Sequence, residues 1–286
     1  MKRDCPLLER PSETDRLPIA PDPWVVRRCR ETGFVFLENP PGYDSLHADY
    51  AWEVTWQKEA QRRAAEEPAL QAMSRAVKQF RHRVMKRHKV ADLATALVRG
   101  RPRSDTLRML DLGCGTGELL GLVMSRLPPA VRQRCEPYGV EISDELARRS
   151  QAALEAHGGS CVHASALEGL GHFEDGFFDL VVMSSFLEHE IQPLPLLREA
   201  RRTLGPGGQV LVKVPNHASW NRALRGPRWA GYRWPDHVNY FTPQTLQAMA
   251  ARAGLSVSRM NWRDRFALSD SLYAVFHATP GEDSRS

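Results

Sequence analysis

The sequence predicts an α/β fold, a mostly parallel sheet with helices on both faces. Three observations carry that prediction. Strands and helices alternate from about residue 105 to the end of the chain. Residues Leu107–Leu120, LRMLDLGCGTGELL, set a short apolar strand, a glycine-rich turn and a helix in succession. The next apolar strand, EPYGVEI, carries Glu141 at its carboxyl edge.

The glycine-rich turn is the centre of the chain. Gly113, Gly115 and Gly117 occur at alternate positions after Asp111. Glycine suits a backbone that takes positive φ or lets a ligand approach closely. The free N–H groups at the start of the following helix then face that ligand. The spacing is GxGxG, not the dinucleotide fingerprint GxGxxG.

The remaining elements follow in order. Pro128 and Pro129 end the first helix near Arg126, and Ser143 is a good N-cap for the second. Ser160 to His163 reads as a third strand and Phe178 to Met183 as a fourth. The segment SSFLEHE comes next, with Glu188 and His189 expected to start a helix that reaches Leu204. Gly205-Pro-Gly-Gly208 turns into a fifth strand, QVLVKVP. An insert from Asn216 to Thr242 holds six aromatics and four arginines, and long irregular segments of this kind are usually functional. Thr242 and Pro243 open a helix that Gly254 ends. Two strands, near Ser256–Trp262 and Ser271–His277, complete the sheet.

Together these pieces resemble the class I S-adenosylmethionine (SAM)-dependent methyltransferases. LRMLDLGCGTG is similar to their motif I, (V/L)LDxGCGxG, and the LEH ending and LGPGG turn match in the family's order. The resemblance implies a Rossmann-like sheet of seven strands with the last one antiparallel, and SAM as cofactor at the carboxyl ends of the strands. Carried over, the cofactor-binding positions are Asp111, Gly113, Cys114, Gly115, Gly117, Glu141, Ile142, Ser165, Ala166 and Ser184. Glu141 is placed to accept from both ribose hydroxyls. Ser165 departs from the family's usual acid at the adenine edge. Methyl transfer asks mainly for alignment of acceptor, methyl and sulfur. An oxygen acceptor also needs a base, for which His237 and then His189 are the candidates.

Upstream, residues 1–23 are rich in proline and charge and predict an arm with little regular structure. Trp24 to Leu37 predicts two short strands around a turn at Glu31–Gly33. Cys5 and Cys29 resemble half of the zinc ribbon that some small-molecule methyltransferases carry. Leu8 and Thr32 stand where the second cysteine of each pair would be, so a metal-free relic is expected. Asn39-Pro-Pro-Gly-Tyr43 reads as a turn. Trp52 and Trp56 share a face of a helix and are expected to roof the acceptor pocket together with the insert. From Pro68 to Val98 a helical pattern exposes seven cations, Arg75 to Lys89, with no acid among them. The organisation is therefore 1–66 extension and lid, 67–104 basic helix and linker, and 105–280 main domain with the 216–242 insert.

Composition bounds the rest. The chain has 286 residues, 42% hydrophobic, with a net charge of +5, which permits an anionic partner without requiring one. No apolar run spans a bilayer, and five scattered cysteines fit reduced thiols in a cytoplasm. The leading expectation is a methyltransferase acting on a small-molecule acceptor. A nucleic-acid methyltransferase, motivated by the basic helix, and a non-catalytic SAM-binding protein are the alternatives.

Overall fold

The structure is a computed structural model and describes residues 2–42, 88–101 and 106–279. Trp52, Trp56 and all of the basic helix before His88 lie outside the described residues.

Seven strands form the main sheet: β4 (Leu107–Leu112), β5 (Cys135–Glu141), β6 (Ser160–His163), β7 (Phe178–Ser184), β8 (Leu204–Pro215), β10 (Leu255–Arg259) and β11 (Ser271–Ala278). Their order is β10-β11-β8-β7-β4-β5-β6. The pairs from β8 through β6 are parallel, while β11 runs antiparallel to both β8 and β10. This is the Rossmann-like methyltransferase sheet the sequence predicts. The chain moves outward from β4 through β5 to β6, then returns to the other side of β4 with β7. The strand ends of β4 and β7 therefore border the switch point, where open α/β sheets bind ligands.

Side-chain alternation builds a core on each face. Leu180 and Val182 of β7 join Met109 and Leu211 under helix α1 (Lys89–Arg99) and helix α2 (Glu118–Arg126). Val181 and Met183 join Leu110, Leu112, Val210 and Val212 on the opposite face, under α6 (Pro193–Arg202) and α8 (Pro243–Arg252). Burial on both faces is why these strands read as continuous apolar runs.

Helix starts follow local chemistry. His88 accepts from Ala91 N–H at the start of α1. Ser143 caps α4 (Asp144–Glu155), and Thr242 with Thr245 forms a reciprocal capping box on α8. The helix after β7 begins at Pro193, not at Glu188. Pro193 is suited to the first helical position, and a residue before proline avoids the helical region. Glu188 and His189 thus sit in the turns before the helix.

A second, small sheet joins the N-terminal segment to the insert. Its order is β1 (Thr14–Leu17), β2 (Val26–Cys29), β3 (Val35–Leu37) and β9 (Asn239–Tyr240), all antiparallel. The expected hairpin is present, but the supposed arm contributes β1, whose residues pair with β2 from Thr14 opposite Cys29 to Leu17 opposite Val26. Alternation was too short there to signal a strand. Two short helices, α3 (Pro129–Arg132) and α5 (Ala166–Leu170), with α7 (Trp220–Arg225) and a 3-10 turn (Gly226–Arg228) in the insert, complete the described elements.

Candidate functional site

The glycine-rich turn leaves β4 at Leu112 and enters α2 at Glu118. Gly113, Gly115 and Gly117 all take left-handed φ, at 69°, 56° and 78°. Their surroundings differ. A side chain at Gly113 would strike the Phe186 ring, and one at Gly117 would press on Ser150. A methyl group at Gly115 would meet no heavy atom within 4 Å. Gly115 is therefore the glycine of the three that faces open space, and Gly113 and Gly117 serve packing as well as turn geometry.

Glu141 ties the next strand end to this turn. It is buried, and its Oε2 accepts from Gly115 N–H at 2.8 Å. Oε1 accepts from the N–H groups of Ile142 at 2.9 Å and Ser143 at 3.0 Å. Three of about four carboxylate lone-pair directions are used, which leaves room for one further donor. Ile142 beside it is 37% exposed, an apolar face next to an acid. Asp111 is buried, and burial together with the nearby Glu141 pushes its carboxyl well above the usual range. An incoming ammonium would restore its charge.

Four further predicted positions make contacts within the protein. Cys114 points its thiol at Ser150 Oγ (3.1 Å) and Cys161 Sγ (3.7 Å), and its N–H donates to Val140 O. Ser165 caps α5 by accepting from Glu168 N–H, and Ala166 begins that helix, largely buried. Ser184 ends β7 level with Lys213. Its neighbour Ser185 takes a left-handed φ of 58°, unusual for a residue with a side chain. Ser185 N–H donates to Lys213 O at 2.8 Å, and the Lys213 ammonium donates back to Ser185 Oγ. Such strain at a strand end is held by its surroundings and points to function.

Beyond the end of β7, the structure brings together the two predicted histidines. His189 and His237 meet edge to face, ring centroids 4.7 Å apart. Asp236 joins them, with Oδ1 2.8 Å from His189 Nδ1. Burial works against a charged His189, but Asp236 and Glu188 outweigh it and raise its pKa. His237 is different. Its Nδ1–H donates to Gly231 O at 2.8 Å, leaving Nε2 buried with no hydrogen-bond partner among the described residues. Burial and the adjacent His189 push its pKa well below the ordinary value. Glu188, also buried, is pushed up by desolvation against the pull of His189 and Lys213. The ligand atoms of Glu188, His189 and His237 all lie within 4.8 Å of one another, so these three residues could hold a cation. Asp236 was missed in the sequence. Its only signal there is adjacency to His237.

The insert's aromatics are mostly interior. Trp229, Tyr232 and Tyr240 are buried against Val26, Val35 and Leu37 of the small sheet, and Phe241 packs on Phe34. Trp220, by contrast, is 63% exposed. The expected aromatic roof is thus largely a core of its own. Between insert and small sheet lies a cavity of about 370 Å³, walled by Leu17, Ile19, Val35 and Tyr232 and rimmed by Arg28 and Arg222. In the small sheet, Cys5 lies 3.7 Å from Thr32 Oγ1 and Cys29 lies 3.5 Å from Ser12 Oγ. Among the described residues no helix is long and apolar enough to cross a membrane.

A glycine-rich turn after β4 and an acid at the end of β5, in an open sheet whose chain order switches at β4, define a Rossmann-like α/β domain. Within that class the chain belongs to the methyltransferase-domain family, whose model matches residues 56–259. It is 31% identical over 157 residues to a ubiquinone biosynthesis O-methyltransferase of Cereibacter sphaeroides, covering 52% of this chain and 60% of that protein. It is 27% identical over 175 residues to the protein of that name from Xanthomonas euvesicatoria, covering 57% and 70%. The chain thus spans about three fifths of the first of these relatives. The same fold occurs in the CurJ carbon methyltransferase, with a TM-score of 0.52 and 17% identity over 83% of this chain and 70% of that one.

Proposed function

We propose that this protein is a SAM-dependent methyltransferase that transfers a methyl group to an oxygen of a small-molecule acceptor. The observation that carries the oxygen reading is the hydrogen bond between Asp236 and His189. The names of its relatives, ubiquinone biosynthesis O-methyltransferases, support the same class of acceptor.

SAM supplies a methyl on a sulfonium, already activated for transfer. The residues present fit it. Gly115 leaves space for the methionine portion, Asp111 offers a carboxyl to the ammonium, and Glu141 has capacity for a ribose hydroxyl. Ile142 offers an apolar face to the adenine. Alignment of acceptor and methyl is the main task of the chain. His189 takes the acceptor's proton, and Asp236 orients the ring and stabilises the imidazolium. His237, held neutral by burial, packs against His189 and is the weaker base.

A second reading rests on Glu188, His189 and His237. His189 and His237 each engage Nδ1, to Asp236 and to the Gly231 carbonyl, an outer arrangement common around metal-bound imidazoles. A divalent cation held by these three residues would lower the pKa of an acceptor hydroxyl. Turnover after chelation, with and without added magnesium or zinc, separates the two readings. Activity that survives chelation supports the dyad alone.

The nucleic-acid alternative rests on cations outside the described residues. Lys89, the described member of that set, lies 3.1 Å from Asp264. Methyl label entering RNA with steep salt dependence would favour it. The proposed location is the cytoplasm.

A further inference from the structure

We propose that Cys161 and Cys114 form an oxidisable pair that a hydroperoxide converts to a disulfide, closing the cofactor turn. Cys114 lies in the glycine-rich turn and Cys161 on β6, two strands away. Their sulfurs are nevertheless 3.7 Å apart. The strand between them makes this possible. Gly139 of β5 stands level with Cys161, and a Cβ there would come within 2.5 Å of Cys114 Sγ. Only glycine at position 139 lets the thiol cross over β5.

The two sulfurs are unequal. Cys114 is buried, while Cys161 is partly exposed, so a small oxidant reaches Cys161 first. Hydrogen bonds from Cys114 and Ser150 hold the Cys161 thiol below its ordinary pKa against burial and the nearby Glu141. The same contact, with burial, pushes Cys114 up, so Cys114 keeps its proton. A partly exposed thiol of lowered pKa beside a protonated resolving thiol is the arrangement of oxidisable cysteine pairs.

The chemistry balances without a further reagent. The Cys161 thiolate attacks a peroxide oxygen. The S–O bond forms, the O–O bond breaks, and the leaving alkoxide takes up a proton as alcohol. Cys114 sulfur then attacks Cys161 sulfur. The S–S bond forms, the S–O bond breaks, and hydroxide leaves as water with the Cys114 proton. Two thiols lose two electrons and the hydroperoxide gains them.

Bonding draws the sulfurs together by about 1.7 Å, to the disulfide length of about 2.0 Å. Cys114 must leave Ser150, and the turn that carries Gly115 and its bond to Glu141 must follow. The consequence for SAM rests on the reading proposed above. The bond itself does not.

The test treats the full chain with stoichiometric hydrogen peroxide, then maps peptides by mass spectrometry and measures SAM affinity by calorimetry. A linked Cys114–Cys161 peptide is expected, with affinity reduced at least tenfold and restored by dithiothreitol. Cys161→Ser should bind SAM like the wild type and be insensitive to peroxide. Cys135→Ser, which removes a buried thiol pushed up to about 11, should remain sensitive. Absence of the linked peptide, or peroxide sensitivity in Cys161→Ser, overturns the proposal. A linked peptide with unchanged SAM affinity overturns its regulatory half. No SAM binding by the reduced protein would instead overturn the cofactor reading and leave the disulfide standing.

Discussion

Asp236 holds His189 by accepting from Nδ1–H at 2.8 Å, and Asp236 comes from the insert while His189 follows β7. The bond leaves His189 Nε2 on the side of Glu188, 4.0 Å from its Oε1. It also ties the insert to the strand end beside which the methyl group is proposed to lie.

His189→Ala should lower kcat by about a hundredfold or more and leave SAM affinity intact. For a base, the rate rises with pH as the imidazole loses its proton. Since the folded pKa is raised, that rise should be centred above the ordinary value of about 6.5. Asp236→Asn should move the midpoint down and reduce kcat. A pH–rate profile of the three proteins checks this; identical profiles would remove the dyad from the mechanism.

His217 gives a pH-dependent stability. Burial, reinforced by Arg222, pushes its pKa down to about 3. The unfolded chain takes up this proton near pH 6.5 and the folded chain only near pH 3. Stability therefore falls as pH drops below 6.5, by about 2 kcal/mol at pH 5 from this group. His237, also depressed, acts in the same direction. His189 opposes them, because its raised pKa gives a contribution that is complete below 6.5 and lost at higher pH. Urea unfolding at pH 7.5 and 5 should show the loss, and His217→Gln should reduce it.

Tight turns follow Cys5 and Cys29, the two cysteines that resemble half of a zinc ribbon. Leu8 and Glu9 N–H both bond to Cys5 O, and Gly33 N–H bonds to Cys29 O. Leu8 is buried where a ligand would sit. The wild-type protein should carry no zinc at Cys5 and Cys29, whereas Leu8→Cys with Thr32→Cys should bind about one zinc per chain with four thiolates. Elemental analysis of each protein, with Glu188→Gln to exclude the other cluster, checks both halves.

Gly115→Val should abolish SAM binding. The side chain would fill the open space at that position, and positive φ adds roughly 1–2 kcal/mol of strain. Calorimetry on a variant shown to be folded by circular dichroism checks it. Wild-type affinity there would place the site elsewhere.

The main sheet was legible because its central strands are buried on both faces and its turns carry glycine and proline. Leu107–Leu112, Ser160–His163 and the capped start of α8 fell where the pattern placed them. The small sheet was less so. Thr14–Leu17 is four residues long and mostly half-exposed, and β9, at the other edge beside β3, has two residues contributed from far along the chain. Local pattern does not report such pairing. In the site, Glu141 and the histidines were readable from position and motif. The orientation of Cys114 was not, since it depends on Gly139 in the neighbouring strand. Nor was the neutrality of His237, which burial decides.

The central claim is methyl transfer from SAM to a small molecule. The most direct test incubates the protein with methyl-labelled SAM, a cell metabolite extract and, separately, RNA. Label should enter a low-molecular-weight fraction as an alkali-stable methyl ether, and His189→Ala should suppress it. Label confined to RNA, or no transfer by a protein that binds SAM, would contradict the account.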